Sequence, residues 1–150
     1  MAPQNAALTL SRAPKAGKKY FTVVEANKAL AYVRPVTRDL MDCYAHVVDI
    51  RRRIEKNSEQ DNREHLEADY EATMDHLSEL VDELHQVGVE LKDFERGLID
   101  FPAVHDGREI YLCWQFKDQS VCAWHETDAG FAGRQDVSML DDDKSCDKAA

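Results

Sequence analysis

Residues with helical spacing dominate the first half of the chain. From Val23 to Ile54 they follow alternating steps of three and four, which places them on one face of a helix. The positions on this face are Val23, Ala26, Leu30, Val33, Thr37, Leu40, Tyr44, Val47, Arg51 and Ile54. The apolar stripe is widened by a flanking row of Ala29, Val36, Cys43 and Ile50. The pattern predicts a long amphipathic helix.

A capping box predicts where this helix starts, and a proline predicts an irregularity inside it. Thr22 and Glu25 have the spacing of a capping box, in which each side chain accepts a hydrogen bond from the other residue's amide. Pro35 removes an amide donor and crowds the preceding turn. We therefore expect a kink at Pro35, or a short helix followed by a long one that starts there.

A second helical pattern follows the polar segment 57–62. It places one face along Leu66, Tyr70, Thr73, Leu77, Leu80, Leu84 and Val87. Gly88 comes next and predicts the end of the helix, because glycine readily adopts the left-handed conformation that closes a helix. Two long helices joined by a short turn form an antiparallel hairpin.

From Gly88 onward the apolar period changes to two, as in β-strands. Residues 89–91 are expected to form a short edge strand. The pair Asp106-Gly107 predicts a two-residue hairpin that joins 99–105 to 108–116, with Ile99 opposite Trp114. A four-residue turn at 117–120 is expected to lead into a strand at 121–126, with Leu112 opposite His125.

This register divides the predicted sheet into two faces. The apolar face, expected to pack on the helices, carries Ile99, Phe101, Ala103, Ile110, Leu112, Trp114, Phe116, Val121, Ala123 and His125. The opposite face carries Asp100, Pro102, Val104, Tyr111, Cys113, Gln115, Cys122, Trp124 and Glu126. The predicted fold class is α+β, with a long antiparallel helical hairpin followed by a small antiparallel β-sheet packed on it. Loss of Trp114 is expected to destabilise the fold more than loss of Trp124.

Composition and charge suggest one domain with two tails. The 150 residues are 43% hydrophobic and carry a formal net charge of −10. Residues 1–19 hold four cations and no acid, and we expect a disordered basic arm there. Residues 20–135 are expected to form a single α+β domain. Residues 136–150 are acidic and aperiodic, and we expect a disordered tail.

The same features exclude several partners and locations. An acidic chain without a clustered basic face is not expected to bind nucleic acid. No segment has the roughly 18 consecutive apolar residues of a spanning helix, so we expect no membrane insertion. The first residues lack the pattern of a secretory signal peptide. A cytoplasmic location is expected.

Five segments of the chain resemble a bacterial family known as domain of unknown function 2203. They are YFTVVEAN at 20–27, GVELKD at 88–93, GLIDFP at 97–102, YLCW at 111–114 and WHETDAGFAGRQ at 124–135. The resemblance implies a domain over residues 20–135 in a cytoplasmic bacterial protein. It implies no activity and no catalytic residues.

The segment around His125 is the first candidate for chemistry. Imidazole and carboxylate groups of His125, Glu126 and Asp128 suit zinc or iron. Further ligand types lie nearby in the sequence, at Asp93, Asp100, His105 and Cys113. Consecutive strand residues point to opposite faces, however, and the predicted register puts His125 on the face away from Asp100 and Cys113. We therefore expect His125 to bond to backbone, and we predict no metal, no other cofactor and no catalytic residue.

An anion site is the second candidate. Gly130 and Gly133 would let an anion approach the backbone closely, and the Arg134 guanidinium suits carboxylate or phosphate. The spacing matches neither a P-loop nor a dinucleotide-binding motif. The competing interpretation is that Arg134 pairs with an acid of the same domain, such as Asp93 or Asp100.

These observations favour a non-enzymatic interaction module. A hairpin has one inner seam, whereas the first helix presents the heptad stripe and the flanking row, so we expect a homodimer through the helices or another protein partner. The alternative is a small-molecule, anion or metal-binding protein, or an enzyme, that uses residues 124–134. The sequence does not decide whether the protein is an enzyme.

Overall fold

A computed structural model describes residues 13–56 and 60–140. Helix α1 spans Val23–Lys56 and helix α2 spans Gln60–Val87. The predictions made for residues 1–12 and 141–150 lie outside the described ranges. Within those ranges, neither helix has a stretch long and apolar enough to cross a membrane.

The helix ends follow the predicted signals. The amide of Thr22 donates to Glu25 Oε1 and the amide of Glu25 donates to Thr22 Oγ1, both at 3.1 Å, which completes the capping box. Gly88 has a φ of 102°, and the amides of Gly88 and Val89 both donate to the carbonyl of Leu84. Helix α1 continues through Pro35, so a division into two helices there is wrong.

The second half of the chain forms a five-stranded antiparallel meander. Its strands lie side by side in chain order, so each pairs with the strand before and the strand after it. They are β1 (Glu90–Asp93), β2 (Leu98–His105), β3 (Arg108–Gln115), β4 (Ala123–Glu126) and β5 (Gln135–Asp136). The predicted α+β class, a helical hairpin followed by an antiparallel sheet, is confirmed.

The predicted β2–β3 register is confirmed. Ile99 pairs with Trp114, and the two strands are joined by Asp106 and Gly107. These residues have φ values of 52° and 72°, and a two-residue turn with both φ values positive matches the twist of the flanking strands. The edge strand predicted at 89–91 lies one to two residues later, at Glu90–Asp93.

The predicted β3–β4 register is wrong by one residue. Leu112 pairs with Trp124, and His125 pairs with Tyr111. The connection between the strands runs over residues 116–122 and therefore has seven residues, whereas the prediction assumed four. Side chains alternate between the two faces of a sheet. A connection with an odd instead of an even number of residues therefore moves every β4 side chain to the opposite face. Trp124 consequently joins the apolar face and His125 joins the polar face.

Helix α1 holds this longer connection in place. The Arg34 guanidinium donates hydrogen bonds to the carbonyls of Phe116, Asp118 and Gln119 at 2.8–3.3 Å. Asn27 Oδ1 accepts the amide of Val121 at 2.7 Å. The Trp114 indole donates to the carbonyl of Asp118 at 3.0 Å. These bonds satisfy backbone groups that a short hairpin turn would have paired internally.

The core lies between the helical hairpin and the apolar face of the sheet. Its largest fully buried side chains include Trp114, Phe101, Leu40, Leu84, Ile99, Ile110 and Leu112. The flanking row of α1 that motivated the dimer prediction lies mostly inside this fold, since Val36, Cys43 and Ile50 are buried. That row therefore does not supply an open interface.

The ordered domain extends beyond the boundary predicted at residue 135. Strand β5 ends at Asp136, and a short 3-10 helix follows at Val137–Met139. Val137 and Leu140 are buried and belong to the core. The amide of Val137 donates to the carbonyl of Cys122 at 3.0 Å. Residues 136–140, which the sequence analysis assigned to the acidic tail, therefore pack on the domain in this structure.

Candidate functional site

The face of the sheet turned away from the helices carries a buried polar cluster. It is formed by Asp100 on β2, Cys113 on β3 and His125 on β4, which the corrected β4 register places on one face. One ligand atom from each of the three residues lies within 4.8 Å of the others. Their exposed fractions are 3%, 1% and 3%. Burial of three such groups is costly unless their polar atoms are satisfied.

The N-terminal segment lies against this polar face. In the N-terminal segment, the Tyr20 hydroxyl donates to the Glu109 carboxylate, and Lys18 Nζ lies 3.1 Å from Glu109 Oε1. The amide of Phe21 donates to the carbonyl of Pro102 at 2.8 Å, which continues the sheet edge beyond β1. The β4–β5 loop, which follows the strand of His125, contains a 3-10 helix at Phe131–Gly133.

His125 lies between two acceptors. Its Nδ1 is 2.7 Å from the carbonyl oxygen of Glu126, and its Nε2 is 3.0 Å from Asp100 Oδ2. A carbonyl oxygen only accepts, so Nδ1 carries a proton. Nε2 and the carboxylate oxygen would then be two acceptors in contact, and such a pair requires a cation between them. That cation is either a proton or a metal ion.

With a proton in that position, His125 and Asp100 form a buried ion pair. Burial by itself lowers the pKa of His125, but the hydrogen bonds to Asp100 and to the Glu126 carbonyl, together with the Asp100 charge, raise it above its ordinary value. The prediction that His125 bonds to backbone is confirmed for Nδ1. The prediction that His125 points away from Asp100 is wrong, because the β4 register is shifted.

One of the two carboxylate oxygens of Asp100 is not used in the contact with His125. Its Oδ1 is buried and has no hydrogen-bond partner among the described residues. Unpartnered buried carboxylate oxygens are uncommon, because the lost hydration is not replaced. The oxygen belongs to the carboxylate that lies next to both His125 and Cys113, and a hydrogen bond between this carboxylate and the Cys113 thiol contributes to the raised pKa of Cys113.

Cys113 is a free cysteine and is not prepared for nucleophilic catalysis in the metal-free state. Burial, followed by the charge of Asp100, raises the pKa of its thiol to about 12. A thiol with this pKa stays protonated at neutral pH, whereas the thiolate is the reactive form. A metal ion bound to sulfur would remove the proton, because a coordinating thiol is deprotonated.

The other predicted site residues lie outside the cluster. Glu126 pairs with Arg108, whose Nε lies 3.1 Å from Glu126 Oε2. Asp128 is exposed in the turn after β4. Arg134 forms an ion pair at 3.8 Å, but the acid is Asp118 rather than Asp93 or Asp100. Of the six candidate ligand-binding residues, the structure brings Asp100 and His125 into contact.

Gly133 has a packing role in the β4–β5 loop. A Cβ at this position would lie 2.7 Å from the Cβ of Ala129, so a side chain would force the loop to shift. Its amide donates to the carbonyl of Gly130 at 3.1 Å. These contacts account for the glycine without an anion bound to its backbone.

Two residues beside the cluster were not among the predicted site residues. The Tyr111 ring lies 5.5 Å from the His125 ring, and Lys92 Nζ lies 5.3 Å from the Tyr111 ring centre. Burial and a hydrogen bond from Tyr111 to Glu90 raise the pKa of Tyr111, which therefore stays neutral. Cys113 was also left out of the six candidate residues, because the predicted β4 register separated it from His125. The signal for Tyr111 and Cys113 was their alternation with apolar residues along β3, whereas Lys92 lies on β1.

Comparison with known proteins supports the resemblance found in the sequence. A family model described as "Uncharacterized conserved protein (DUF2203)" matches residues 19–137. This range contains both helices, all five strands and the three clustered residues. No curated protein and no solved structure matches the chain.

Proposed function

The chain belongs to the DUF2203 family of uncharacterised conserved proteins, and we propose that it binds a divalent metal ion of the zinc type through Asp100, Cys113 and His125. The observation that carries this proposal is the convergence of three buried ligand atoms within 4.8 Å of one another. Thiolate, imidazole and carboxylate together suit Zn²⁺, and they also suit Fe²⁺ or Co²⁺. Hard cations such as Mg²⁺ and Ca²⁺ prefer sets made of oxygen alone.

The hydrogen bonds of His125 favour a metal ligand. A metal-bound histidine usually donates its second ring N–H to a carbonyl or carboxylate, which fixes the tautomer and the ring orientation. Here Nδ1 donates to the Glu126 carbonyl and leaves Nε2 facing Asp100 and Cys113. The unpartnered Asp100 Oδ1 provides a further oxygen at the same place. Three protein ligands leave one coordination position of a tetrahedral ion for water or a small molecule.

Metal analysis of the purified protein tests this proposal. We expect about one equivalent of zinc per chain, or its uptake by protein that has been stripped with a chelator and dialysed against zinc. Cys113→Ser and His125→Gln should bind much less metal. Cys43→Ser is the matched control, because Cys43 is also a free buried cysteine but contacts Thr73 in the helical hairpin.

Cobalt substitution tests the ligands directly. Co²⁺ bound through Cys113 should give an ultraviolet sulfur-to-metal charge-transfer band, together with visible bands of tetrahedral intensity. Cys113→Ser should remove the charge-transfer band, and Cys43→Ser should retain it. A wild-type protein that binds neither zinc nor cobalt after reduction of its thiols would overturn the proposal.

A helix-mediated homodimer is a second candidate function. The surface proposed for it differs from the flanking row of α1 on which the sequence prediction rested. A groove of about 480 Å³ follows α1 beside the β1–β2 turn, with apolar walls from Met41, Tyr44 and Val48. Its rim carries both signs of charge, from Asp42, Asp49, Arg52 and Glu95. Pairing two copies about a two-fold axis can set Arg52 of each against acids of the other.

Light scattering tests the dimer. We expect a mass near twice 17.1 kDa for the wild-type protein and a monomer for Val48→Glu, which places a charge in the groove. Met74→Glu is the matched control, since Met74 is exposed to the same degree as Val48 but lies on α2, outside the groove. A wild-type monomer across the accessible concentration range would contradict this candidate. The bacterial cytoplasm stays a prediction for the protein's location.

A further inference from the structure

Two arginines converge on one aromatic ring near the polar cluster. The guanidinium carbon of Arg96 lies 5.4 Å from the centre of the Phe131 ring, and that of Arg134 lies 4.5 Å from it. Arg96 belongs to the β1–β2 turn, and Arg134 follows the short helix of the β4–β5 loop. Both guanidinium groups thus lie close to the same ring, and their like charges repel each other.

The acids near these arginines neutralise their charges only at long distance. Arg96 Nε is 3.7 Å from Asp93 Oδ2, and Arg134 Nη1 is 3.8 Å from Asp118 Oδ2. Both distances exceed the usual range of about 2.7–3.2 Å for an N–H···O hydrogen bond. The side chains are 58% and 34% exposed, so their donors remain available to a ligand from solvent.

Two other arginines of the same domain, unlike this pair, use their donors for close hydrogen bonds within the fold. Arg34 donates to three backbone carbonyls of the β3–β4 connection. Arg108 forms close hydrogen bonds with Glu126, and these also raise the pKa of Arg108. Arg34 and Arg108 therefore hold the fold together with their donors. Arg96 and Arg134 instead present theirs near Phe131, in a chain whose net charge is −10.

The arginine pair lies beside the end of β3 that carries Cys113. Asp118, the partner of Arg134, accepts the amide of Gln115, two residues after Cys113. The amide of Phe116 donates to the carbonyls of Arg96 and Gly97.

We infer that Arg96 and Arg134, arranged around Phe131, bind the phosphate or carboxylate group of a small-molecule ligand. A guanidinium matches both anions, because its planar donors form paired hydrogen bonds with two oxygens. An anion bound by these side chains would add to the compensation that Asp93 and Asp118 provide only at long distance. This anion site rests on its own contacts. Its position beside a metal ion depends on the proposed function.

Binding of simple anions tests the site. Inorganic phosphate and acetate are titrated separately into the full-length protein, and saturation is followed by calorimetry. Comparison of the two titrations distinguishes phosphate from carboxylate recognition. Arg96→Gln and Arg134→Gln are expected to weaken binding of the preferred anion about tenfold or more, since each removes charge-assisted hydrogen bonds. Lys117→Gln, which removes a charge from an exposed residue of the nearby β3–β4 connection, should leave the affinity unchanged.

Two further measurements keep the test decisive. Side-chain Nε–H resonances of Arg96 and Arg134 in the wild-type protein should shift with anion, so the result does not depend on variants that fail to fold. The titrations are run on metal-loaded and metal-free protein. Equal anion affinity in both shows that this site stands even if the metal proposal fails. Absence of saturable binding to either anion, or equal weakening by Lys117→Gln, would overturn the inference.

Discussion

Replacement of Trp114 by alanine is expected to lower the free energy of unfolding by about 3–5 kcal/mol, the usual cost of truncating a buried aromatic residue. Trp114 is fully buried between the sheet and α1, where the Arg34 guanidinium lies 5.2 Å from its ring centre. Its indole N–H also holds the carbonyl of Asp118, so the substitution loosens the β3–β4 connection as well as the core. Urea titration followed by circular dichroism measures the loss.

Trp124 provides the comparison that tests the corrected register. The sequence placed it on the open face, whereas the structure buries it in the core, so Trp124→Ala is expected to cost nearly as much as Trp114→Ala. The phenylalanine variants should separate the two sites. Trp114→Phe loses the hydrogen bond to Asp118, worth about 0.5–1.5 kcal/mol. Trp124→Phe loses no such bond, because its indole N–H is buried without a partner among the described residues. A small effect of Trp124→Ala would instead support the register that the sequence predicted.

Removal of the Asp100 carboxylate is expected to be nearly as costly in the metal-free protein. Asp100→Ala leaves the buried His125 without its counter-charge, and breaking one side of a buried ion pair typically costs about 3–5 kcal/mol. The pKa of His125 is raised in the folded state, so the pair stabilises the fold fully below the unfolded value of about 6.5. This stabilisation is lost as the pH rises through the folded pKa. The cost of Asp100→Ala should therefore be largest in mild acid and shrink toward alkaline pH.

A double-mutant cycle with His125→Ala isolates the pair. Once His125 is absent, Asp100→Ala should cost much less, because no buried positive charge remains to be compensated. Unfolding is measured in the presence of a chelator, and the titration is then repeated with zinc. Zinc should stabilise the wild-type protein by mass action and should not stabilise the Asp100→Ala variant. Strictly additive costs in the cycle would show that Asp100 and His125 do not interact.

Much of the architecture could be predicted because its signals are local. The capping box at Thr22 and the closing glycine at Gly88 define helix ends through contacts within a few residues. Asp106-Gly107 defines its hairpin in the same way, because only two residues separate the paired strands. The polar character of Asp100 and His125 was also visible in the sequence. Their contact was not visible, since it depends on which way β4 faces.

Periodicity, together with turn residues next to the elements they join, was enough to predict the helical hairpin, the antiparallel sheet and the β2–β3 register. The register of β4 depends instead on contacts across the fold. The connection before β4 is held by Arg34 and Asn27 of α1, which lie 82 to 94 positions earlier in the chain than the groups they bind. Such long-range bonds let seven residues bridge the strands where four were predicted. His125 therefore meets Asp100 and Cys113, because side chains in a strand alternate and a change of one residue exchanges the faces.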